Sequence, residues 1–361
     1  MSEAPAPVPV TVLTGYLGAG KTTLLNRILS DAHGKRYAVI VNEFGEIGID
    51  NDLIVESDEE IYEMNNGCVC CTVRGDLVRV VESLMRRPGR FDAIVVETTG
   101  LADPAPVAQT FFMDEDVRAK TKLDAVVALV DARHLPQRLK DSQEAEDQIA
   151  FADVIVLNKT DLVNEDELTQ VESLVRAINP SARIHRTSRA AVPLDAVLDR
   201  GAFDLSRALD NDPHFLDHDD PDHVCGPDCG HDHGHHHGHD HHGHDHHDHD
   251  HDHHHHDAPS AIHDVTVKSI SLRGGPMDPN KFFPWVNKIT QMDGPNILRL
   301  KGIIAFEGDA DRYVIQGVHM IVEGVNERAW RDDEKRESRL VFIGRDLDAE
   351  KLERTFKACE A

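Results

Sequence analysis

The chain has 361 residues and carries 38 basic against 65 acidic side chains, a formal net charge of −27 with histidine neutral. This balance excludes nucleic-acid binding driven by overall charge. Six cysteines are too few for a disulfide scaffold, no stretch approaches the ~18 apolar residues of a membrane span, and residues 1–18 lack the pattern of a secretory signal. We therefore expect a cytoplasmic protein with reduced thiols and no membrane or nucleic-acid partner.

Residues 8–203 alternate short β-branched runs with segments of helical spacing. The runs cover 8–15, 36–42, 92–97, 124–131, 152–159 and 182–187. Most are continuously apolar, which is typical of strands buried on both faces of a parallel sheet. The pattern predicts an α/β domain with a doubly wound, mostly parallel sheet.

Residues 204–257 differ sharply in composition from the rest of the chain. They hold 15 Asp and one Arg, and 17 of the 25 His lie between positions 231 and 256. Such a segment cannot bury a core, so we predict a disordered His/Asp-rich linker. Neutral imidazole suits Zn, Ni, Co and Cu, and His231, His233 and His235 open the candidate metal-binding tract. A solvated spacer without metal is the alternative.

Residues 258–361 regain periodic order. The patterns predict strands over 262–272, 297–306, 312–318 and 338–344, and helices over 278–290 and 348–359. Roughly one hundred residues suffice for one core. We predict a small α+β C-terminal domain.

The segment GYLGAGKT (15–22) fits the phosphate-loop pattern G-x-x-x-x-G-K-[ST] between a strand and a helical segment. Backbone N–H groups of such a loop cradle phosphates. Lys21 is expected to reach the β- and γ-phosphates and to act in catalysis, while the Thr22 hydroxyl binds Mg²⁺. The remaining nucleotide-binding positions of this segment are Gly15, Gly18, Ala19, Gly20 and Thr23. A glycine turn without a ligand is the alternative.

Two further positions extend the nucleotide site. Glu97 ends the run VVE and is expected to complete the Mg²⁺ shell, with a catalytic role, and the backbone of Gly100 is expected to approach the γ-phosphate. An acidic residue at a strand end also serves as a helix cap, which is the alternative for Glu97.

The turn NKTD, formed by Asn158, Lys159, Thr160 and Asp161, follows the apolar run VIVL. The Asp161 carboxylate can accept hydrogen bonds from the ring N–H and exocyclic amine of guanine, whereas adenine presents an acceptor there. A buried group left unpaired gives strong discrimination, so GTP is expected over ATP. An ordinary strand-end turn is the alternative.

Three thiols, Cys68, Cys70 and Cys71, lie in the excursion between the second and third predicted strands. Soft thiolate ligands favour Zn²⁺, Co²⁺ or Cu⁺, and Glu43 or a solvent molecule could complete a tetrahedral site. Buried free cysteines or a redox pair are the alternatives.

Five segments in this order resemble the CobW family of metal-handling P-loop GTPases. They are GYLGAGKTTLLN, NEFGEIGID (42–50), GCVCCTVRGDL (67–77), ETTGLADPAPV (97–107) and NKTDLV (158–163). The resemblance implies a GTP-dependent metallochaperone with a CobW-type C-terminal domain. It assigns Lys21, Thr22 and Glu97 to phosphate and Mg²⁺, Asn158, Lys159 and Asp161 to guanine, and the three cysteines to the metal.

Our hypothesis is that GTP hydrolysis drives transfer of zinc, or cobalt, from the cysteines to a metal-requiring client protein. The residue that positions the attacking water stays open among Glu43, Glu46 and Asp50. One alternative is a metal buffer whose His-rich tract stores ions while GTPase activity is secondary. Another is a translation- or signalling-type GTPase with incidental thiols. The client and the oligomeric state are open, a homodimer being one option.

Overall fold

The computed structural model describes residues 6–31, 34–43, 60–65, 71–86, 91–202, 266–331 and 334–361. The predicted linker with its histidines lies outside these ranges, as do Cys68, Cys70, Glu46 and Asp50. Among the residues described, no helix combines the length and the apolar character that crossing a membrane requires.

The N-terminal part is built on a parallel sheet of seven described strands in the order β3-β2-β4-β1-β5-β6-β7. The strands are β1 (Val8–Gly15), β2 (Tyr37–Glu43), β3 (Glu60–Asn65), β4 (Ala93–Glu97), β5 (Thr121–Asp131), β6 (Val154–Asn158) and β7 (Arg183–Arg186). Strands β4 and β6 are buried at every residue, as expected for strands covered on both faces.

Helices cover the two faces of this sheet. They are α1 (Lys21–Ser30), α2 (Cys71–Met85), α3 (Ala105–Met113), α4 (Glu115–Arg118), α5 (Leu135–Asp141), α6 (Gln143–Phe151) and α7 (Glu165–Ile178). Helix α1 packs on one face together with residues 190–198. Helices α2, α3, α6 and α7 contribute to the core on the other face.

The C-terminal part is an antiparallel sheet of five described strands in the order β11-β10-β9-β12-β8. Its strands are β8 (Val267–Gly274), β9 (Ile297–Ala305), β10 (Asp311–Val318), β11 (Ile321–Ala329) and β12 (Ser338–Arg345). Helices α8 (Pro279–Met292) and α9 (Ala349–Lys357) cover one face with an aromatic core. Phe282 and Phe356 in that core are fully buried.

The second face of the C-terminal sheet packs against the N-terminal part. Helices α3, α6 and α7 contact strands β8, β9 and β10, and apolar residues of both parts form one continuous core. A buried ion cluster also crosses this boundary: Asp153, just before β6, accepts hydrogen bonds from Arg299 and Lys301 of β9. Helix α6 therefore lies between the two sheets.

The predicted α/β fold with a smaller α+β C-terminal part is confirmed. All six strands predicted in the N-terminal part are present, each within a few residues of its expected bounds. Two further strands, β3 and β11, were not predicted, and both lie at the edge of a sheet. The exact domain boundaries 8–203, 204–257 and 258–361 stay predictions.

Candidate functional site

The phosphate-loop segment connects the end of β1 to the start of α1. Its three glycines all have positive φ: +137° at Gly15, +75° at Gly18 and +115° at Gly20. A Cβ on Gly15 would lie 2.3 Å from the carbonyl oxygen of Leu129, and a Cβ on Gly20 would lie 2.5 Å from Nδ2 of Asn158. The close packing of this loop against β5 and β6 thus requires glycine at both ends.

Lys21 begins α1 and folds back over the loop that precedes it. Its Nζ donates to the carbonyl oxygen of Gly15 at 2.8 Å, and the side chain is buried. No side chain caps the N-terminus of α1. The first N–H groups of the helix, together with the ammonium of Lys21, therefore form a positive site suited to phosphate.

Asn158, at the end of β6, joins this loop to the segment after β7. Its Nδ2 donates to the carbonyl oxygen of Ala19 at 2.8 Å, and its Oδ1 accepts from the N–H of Ala190 at 2.9 Å. The side chain is only 2% exposed. Asn158 therefore connects the phosphate-loop segment to the loop after β7.

The rest of the NKTD turn lies beside Asn158. Lys159 has a positive φ of 61°, and its Nζ donates to Oδ2 of Asp131 at 2.8 Å. Burial opposes ionisation of Asp131, but hydrogen bonds from Lys159 and His134 outweigh it and lower the pKa of that carboxyl. Asp161 is exposed and available to a base.

The loop after β7 lies against this turn. Thr160 donates to the carbonyl oxygen of Thr187 through its N–H at 3.2 Å and its hydroxyl at 3.1 Å. Arg189 and Ala190 both have a positive φ of 51°. The NKTD turn and residues 187–190 together form one rim of the candidate nucleotide site.

Glu97 ends β4 next to the phosphate loop. It is buried and lies in register with Leu13 of β1. The structure therefore brings Glu97 to the same sheet edge as Lys21 and Thr22. A carboxylate and a hydroxyl are the hard oxygen ligands that Mg²⁺ prefers, so this pair fits the predicted ion.

The loop that follows Glu97 packs directly on the phosphate loop. A Cβ on Gly100 would lie 2.6 Å from Cγ and 2.7 Å from the backbone N of Leu17. Thr98 is fully buried, and its hydroxyl lies 3.1 Å from that of Thr14. Residues 98–102, called the β4 loop below, therefore pack against the segment that the sequence predicts to bind phosphate.

A pocket of about 190 Å³ opens beside the phosphate loop, lined in part by Tyr16, Gly18, Lys159 and Gln148. The Arg138 guanidinium lies 4.7 Å from the centroid of the Tyr16 ring. Aromatic and cationic groups together suit an anionic ligand with a planar ring.

The predicted transition-metal site is only partly within the described residues. Cys71 is the first residue of α2 and Glu43 is the last of β2, and for both only the backbone is described. The described side chains contain no group of three or more His, Cys, Asp or Glu placed to hold a metal ion. The metal assignments to Cys68, Cys70, Cys71, His231, His233 and His235 stay predictions.

Two residues of the site were missed by the sequence reasoning. Asp131 follows an apolar run at a strand end, the same signal that identified Glu97. Gln148 on α6 has no comparable signal, although its amide contacts the β4 loop.

The phosphate loop, the strand-end carboxylate and the NKTD turn meet at the carboxyl edge of a parallel sheet, where P-loop nucleotide-binding proteins hold their ligand. Residues 9–186 match the model of the CobW/HypB/UreG nucleotide-binding domain, and residues 267–360 match the cobalamin synthesis protein CobW C-terminal domain. The chain belongs to the CobW/HypB/UreG family, which confirms the resemblance found in the sequence.

Similar proteins differ in how much of the chain they match. The zinc chaperone YjiA of Escherichia coli is 32% identical over 355 residues, which span 97% of this chain and 98% of that protein. The zinc-regulated GTPase metalloprotein activator 1 of Schizosaccharomyces pombe is 43% identical over 205 residues, and the match covers 55% of this chain and 50% of that protein. The chain thus spans about half the length of this relative.

A solved structure has the same architecture. The crystal structure of Zn(II)-bound YjiA GTPase from Escherichia coli is 25% identical with a TM-score of 0.70, and the match covers 99% of this chain and 100% of that one. The arrangement of the two sheets described above is therefore that of a known fold.

Proposed function

We propose that this protein is a GTP-hydrolysing metallochaperone that carries zinc, or cobalt, on its Cys-x-Cys-Cys motif and delivers it to a metal-requiring client protein in the cytoplasm. The observation that carries the proposal is the packing of the β4 loop on the phosphate loop. It gives the chain a segment that can respond to a γ-phosphate. The relatives, a zinc chaperone and a zinc-regulated GTPase metalloprotein activator by name, point to the metal.

The position of the cysteine motif supports a link between nucleotide and metal. Strand β3 ends at Asn65 and runs parallel to β2, so its end lies at the same sheet edge as the phosphate loop. Helix α2 begins at Cys71. The motif therefore lies in the connection between a strand that ends at the nucleotide edge and helix α2.

Each residue of the site has a defined task in this proposal. The phosphate-loop N–H groups and Lys21 bind the phosphates, and Thr22 and Glu97 would hold Mg²⁺, which supplies charge neutralisation on the β- and γ-oxygens. Asp161 selects guanine. The N–H of Gly100 contacts the γ-phosphate. Hydrolysis removes this phosphate and thereby releases the β4 loop.

GTP turnover by protein purified without an affinity resin tests this function. We expect Mg²⁺-dependent hydrolysis that changes with Zn²⁺ or Co²⁺, and no metal response in a Cys70→Ser/Cys71→Ser variant. A protein that does not turn over GTP, or whose turnover ignores the metal in both forms, would contradict the proposal.

The histidine-rich composition of residues 231–256 favours one second candidate, a metal buffer. Deleting these residues separates the two. A metallochaperone keeps one tightly bound ion on its cysteines, whereas a buffer loses nearly all its capacity. Equilibrium dialysis with Zn²⁺ measures both the number of ions and their affinity.

A further inference from the structure

Helix α6 contacts the β4 loop through a buried amide. Nε2 of Gln148 donates to the carbonyl oxygens of Gly100 and Ala102, each at 3.2 Å. The Gln148 side chain is 2% exposed, so these bonds form away from competing water. The held carbonyl fixes the peptide plane that Gly100 shares with Leu101, and this restricts the backbone of Gly100 that carries the N–H expected at the γ-phosphate.

The β4 loop is held from its other side by the phosphate loop. The N–H of Thr98 donates to the carbonyl oxygen of Leu13 at 2.9 Å, and Gly100 packs on Leu17. Gln148 and the phosphate loop therefore contact opposite sides of the segment expected to sense the γ-phosphate. It touches the loop but belongs to none of the motifs that bind nucleotide.

The opposite side of α6 is held by the C-terminal sheet. Glu146 is buried and accepts from the hydroxyl of Thr266 at 2.8 Å and from Nη2 of Arg345 at 3.0 Å. Nη1 of Arg345 lies 2.6 Å from Oδ1 of Asp147. One arginine at the end of β12 thus pairs with two consecutive acids, directly before Gln148 in the chain.

The C-terminal end of α6 is fixed by a separate contact. Nδ2 of Asn179, which follows α7, donates to the carbonyl oxygens of Ile149 and Ala152, both at 2.8 Å. With one end of the helix anchored, the pairing with Arg345 restrains the part of α6 that precedes Gln148. Helix α6 thereby connects the C-terminal part to the β4 loop.

We propose that Gln148 is a positioning residue for GTP hydrolysis, acting through the β4 loop, and that Arg345 keeps it in place through Glu146 and Asp147. The inference rests on the proposed GTPase function. Its consequence is that the C-terminal domain controls the rate of hydrolysis without touching the nucleotide. Since an aimed N–H matters most where charge develops in the transition state, the effect falls on kcat rather than on ground-state binding.

The test compares full-length wild type with Gln148→Leu and Arg345→Met variants. Each change keeps a long side chain and removes the hydrogen bonds. We expect Gln148→Leu to lower kcat by about tenfold or more, while KM for GTP and the affinity for GDP stay within about twofold. Arg345→Met is expected to lower kcat in the same way. The double variant is expected to match Gln148→Leu alone, because both changes act through one contact.

Lys351→Met is the matched control. Lys351 pairs with Asp293 inside the C-terminal part, and neither residue belongs to the ion pairs described for α6. We expect wild-type kcat from this variant. The thermal unfolding and the GDP affinity of every variant are measured as well. A variant that has lost only the positioning of the β4 loop keeps both close to wild type, whereas a variant with a damaged fold does not.

Three results would overturn the inference. They are an unchanged kcat in Gln148→Leu, a fall in kcat matched by an equal loss of GDP affinity, and an Arg345→Met variant that behaves like Lys351→Met. If the wild type itself hydrolyses no GTP, the proposed function fails and this inference with it. An active wild type with an unaffected Gln148→Leu variant overturns only the inference.

Discussion

At the scale of single residues, the glycines of the phosphate loop serve different purposes. All three have positive φ, so any substitution strains the backbone by roughly 1 kcal/mol or more. Gly20 is also pressed against Asn158, whereas a Cβ on Gly18 would meet nothing within 4 Å. The two positions therefore share the backbone strain and differ in the steric clash.

A Gly20→Ala substitution is expected to displace the Asn158 amide and break its bond to Ala19. We expect GTP affinity to fall by about tenfold or more beyond any loss in Gly18→Ala, since each lost buried hydrogen bond costs about 1–3 kcal/mol. Fluorescent-nucleotide titration of both variants measures the difference. Equal losses of GTP affinity in the two variants would show that the contact between Gly20 and Asn158 has no role in nucleotide binding.

The exposed Asp161 carboxylate is the predicted determinant of guanine selectivity. We expect Asp161→Asn to weaken GTP binding by about 10²-fold, because hydrogen bonds to a charged acceptor contribute about 1.5–3 kcal/mol, and to leave ATP binding unchanged. Asp166→Asn, an exposed position in the first turn of α7, is the control. Parallel loss of GTP and ATP binding would contradict the assignment.

Motifs with fixed spacing in the chain located the candidate nucleotide residues. Lys21, Glu97 and Asn158 all lie at the sheet edge that their motifs indicated. The partners of Asn158 and the role of Gln148 were not predictable, because they depend on contacts between segments far apart in sequence. No local pattern encodes which carbonyl a buried amide will meet.

At the scale of elements, the boundary between the two sheets contains a buried ion cluster. Oδ1 of Asp153 accepts from Nη2 of Arg299 at 2.9 Å and from Nζ of Lys301, and Oδ2 accepts from the N–H of Val126 at 2.8 Å. All three charged side chains are almost fully buried. Removing the single anion would leave two buried cations without their carboxylate.

We expect Asp153→Asn to lower the free energy of unfolding by about 3–5 kcal/mol, the usual cost of breaking a buried pair. Asp92→Asn is the matched control, because Asp92 pairs with Arg36 at the exposed surface and such pairs contribute about 0–1 kcal/mol. Urea denaturation measures both. Similar losses in the two variants would show that the cluster does not stabilise the boundary.

The same cluster predicts how stability depends on pH. Burial opposes ionisation of Asp153, but Lys301 and Arg299 outweigh it and hold its pKa below the usual value. The stabilisation is therefore complete above about pH 4, where the unfolded carboxyl titrates, and is lost as the pH falls through the lower folded pKa. We expect the stability of wild type to fall more steeply between pH 5 and pH 3 than that of Asp153→Asn.

The two strands that the sequence did not predict are both edge strands. Strand β3 has the sequence EIYEMN, and β11 has IVEGVNERA with its middle residues exposed. An edge strand faces water along one side, so it can carry charges and need not be continuously apolar. The rule that identified strands by their apolar runs therefore missed two of the four edge strands, β3 and β11, although it found the other two, β7 and β8.

At the scale of the whole molecule, the negative charge is unevenly distributed. Residues 204–257 carry −14 of the formal −27, which leaves −13 on the rest of the chain. The same segment holds most of the histidines. In our account, this composition makes it a second, weaker place for divalent ions beside the cysteine motif.

The two folded parts share one apolar core and a set of ion pairs centred on α6 and β9. The boundary between the two parts combines apolar contacts with buried ion pairs. Substitution of one of its arginines or aspartates is therefore expected to disturb it. The whole chain therefore has the connections needed for nucleotide and C-terminal domain to influence each other.

The most direct test of the central claim is the Zn²⁺ affinity of the protein loaded with GDP and with a non-hydrolysable GTP analogue. Deleting residues 231–256 removes the Zn²⁺ binding expected of the histidines. The Cys70→Ser/Cys71→Ser variant then gives the Zn²⁺ affinity of a protein without the cysteine site. Our account predicts that the two nucleotide states differ by about tenfold or more, within the usual range of coupling between sites. Equal affinities in the two states would contradict it.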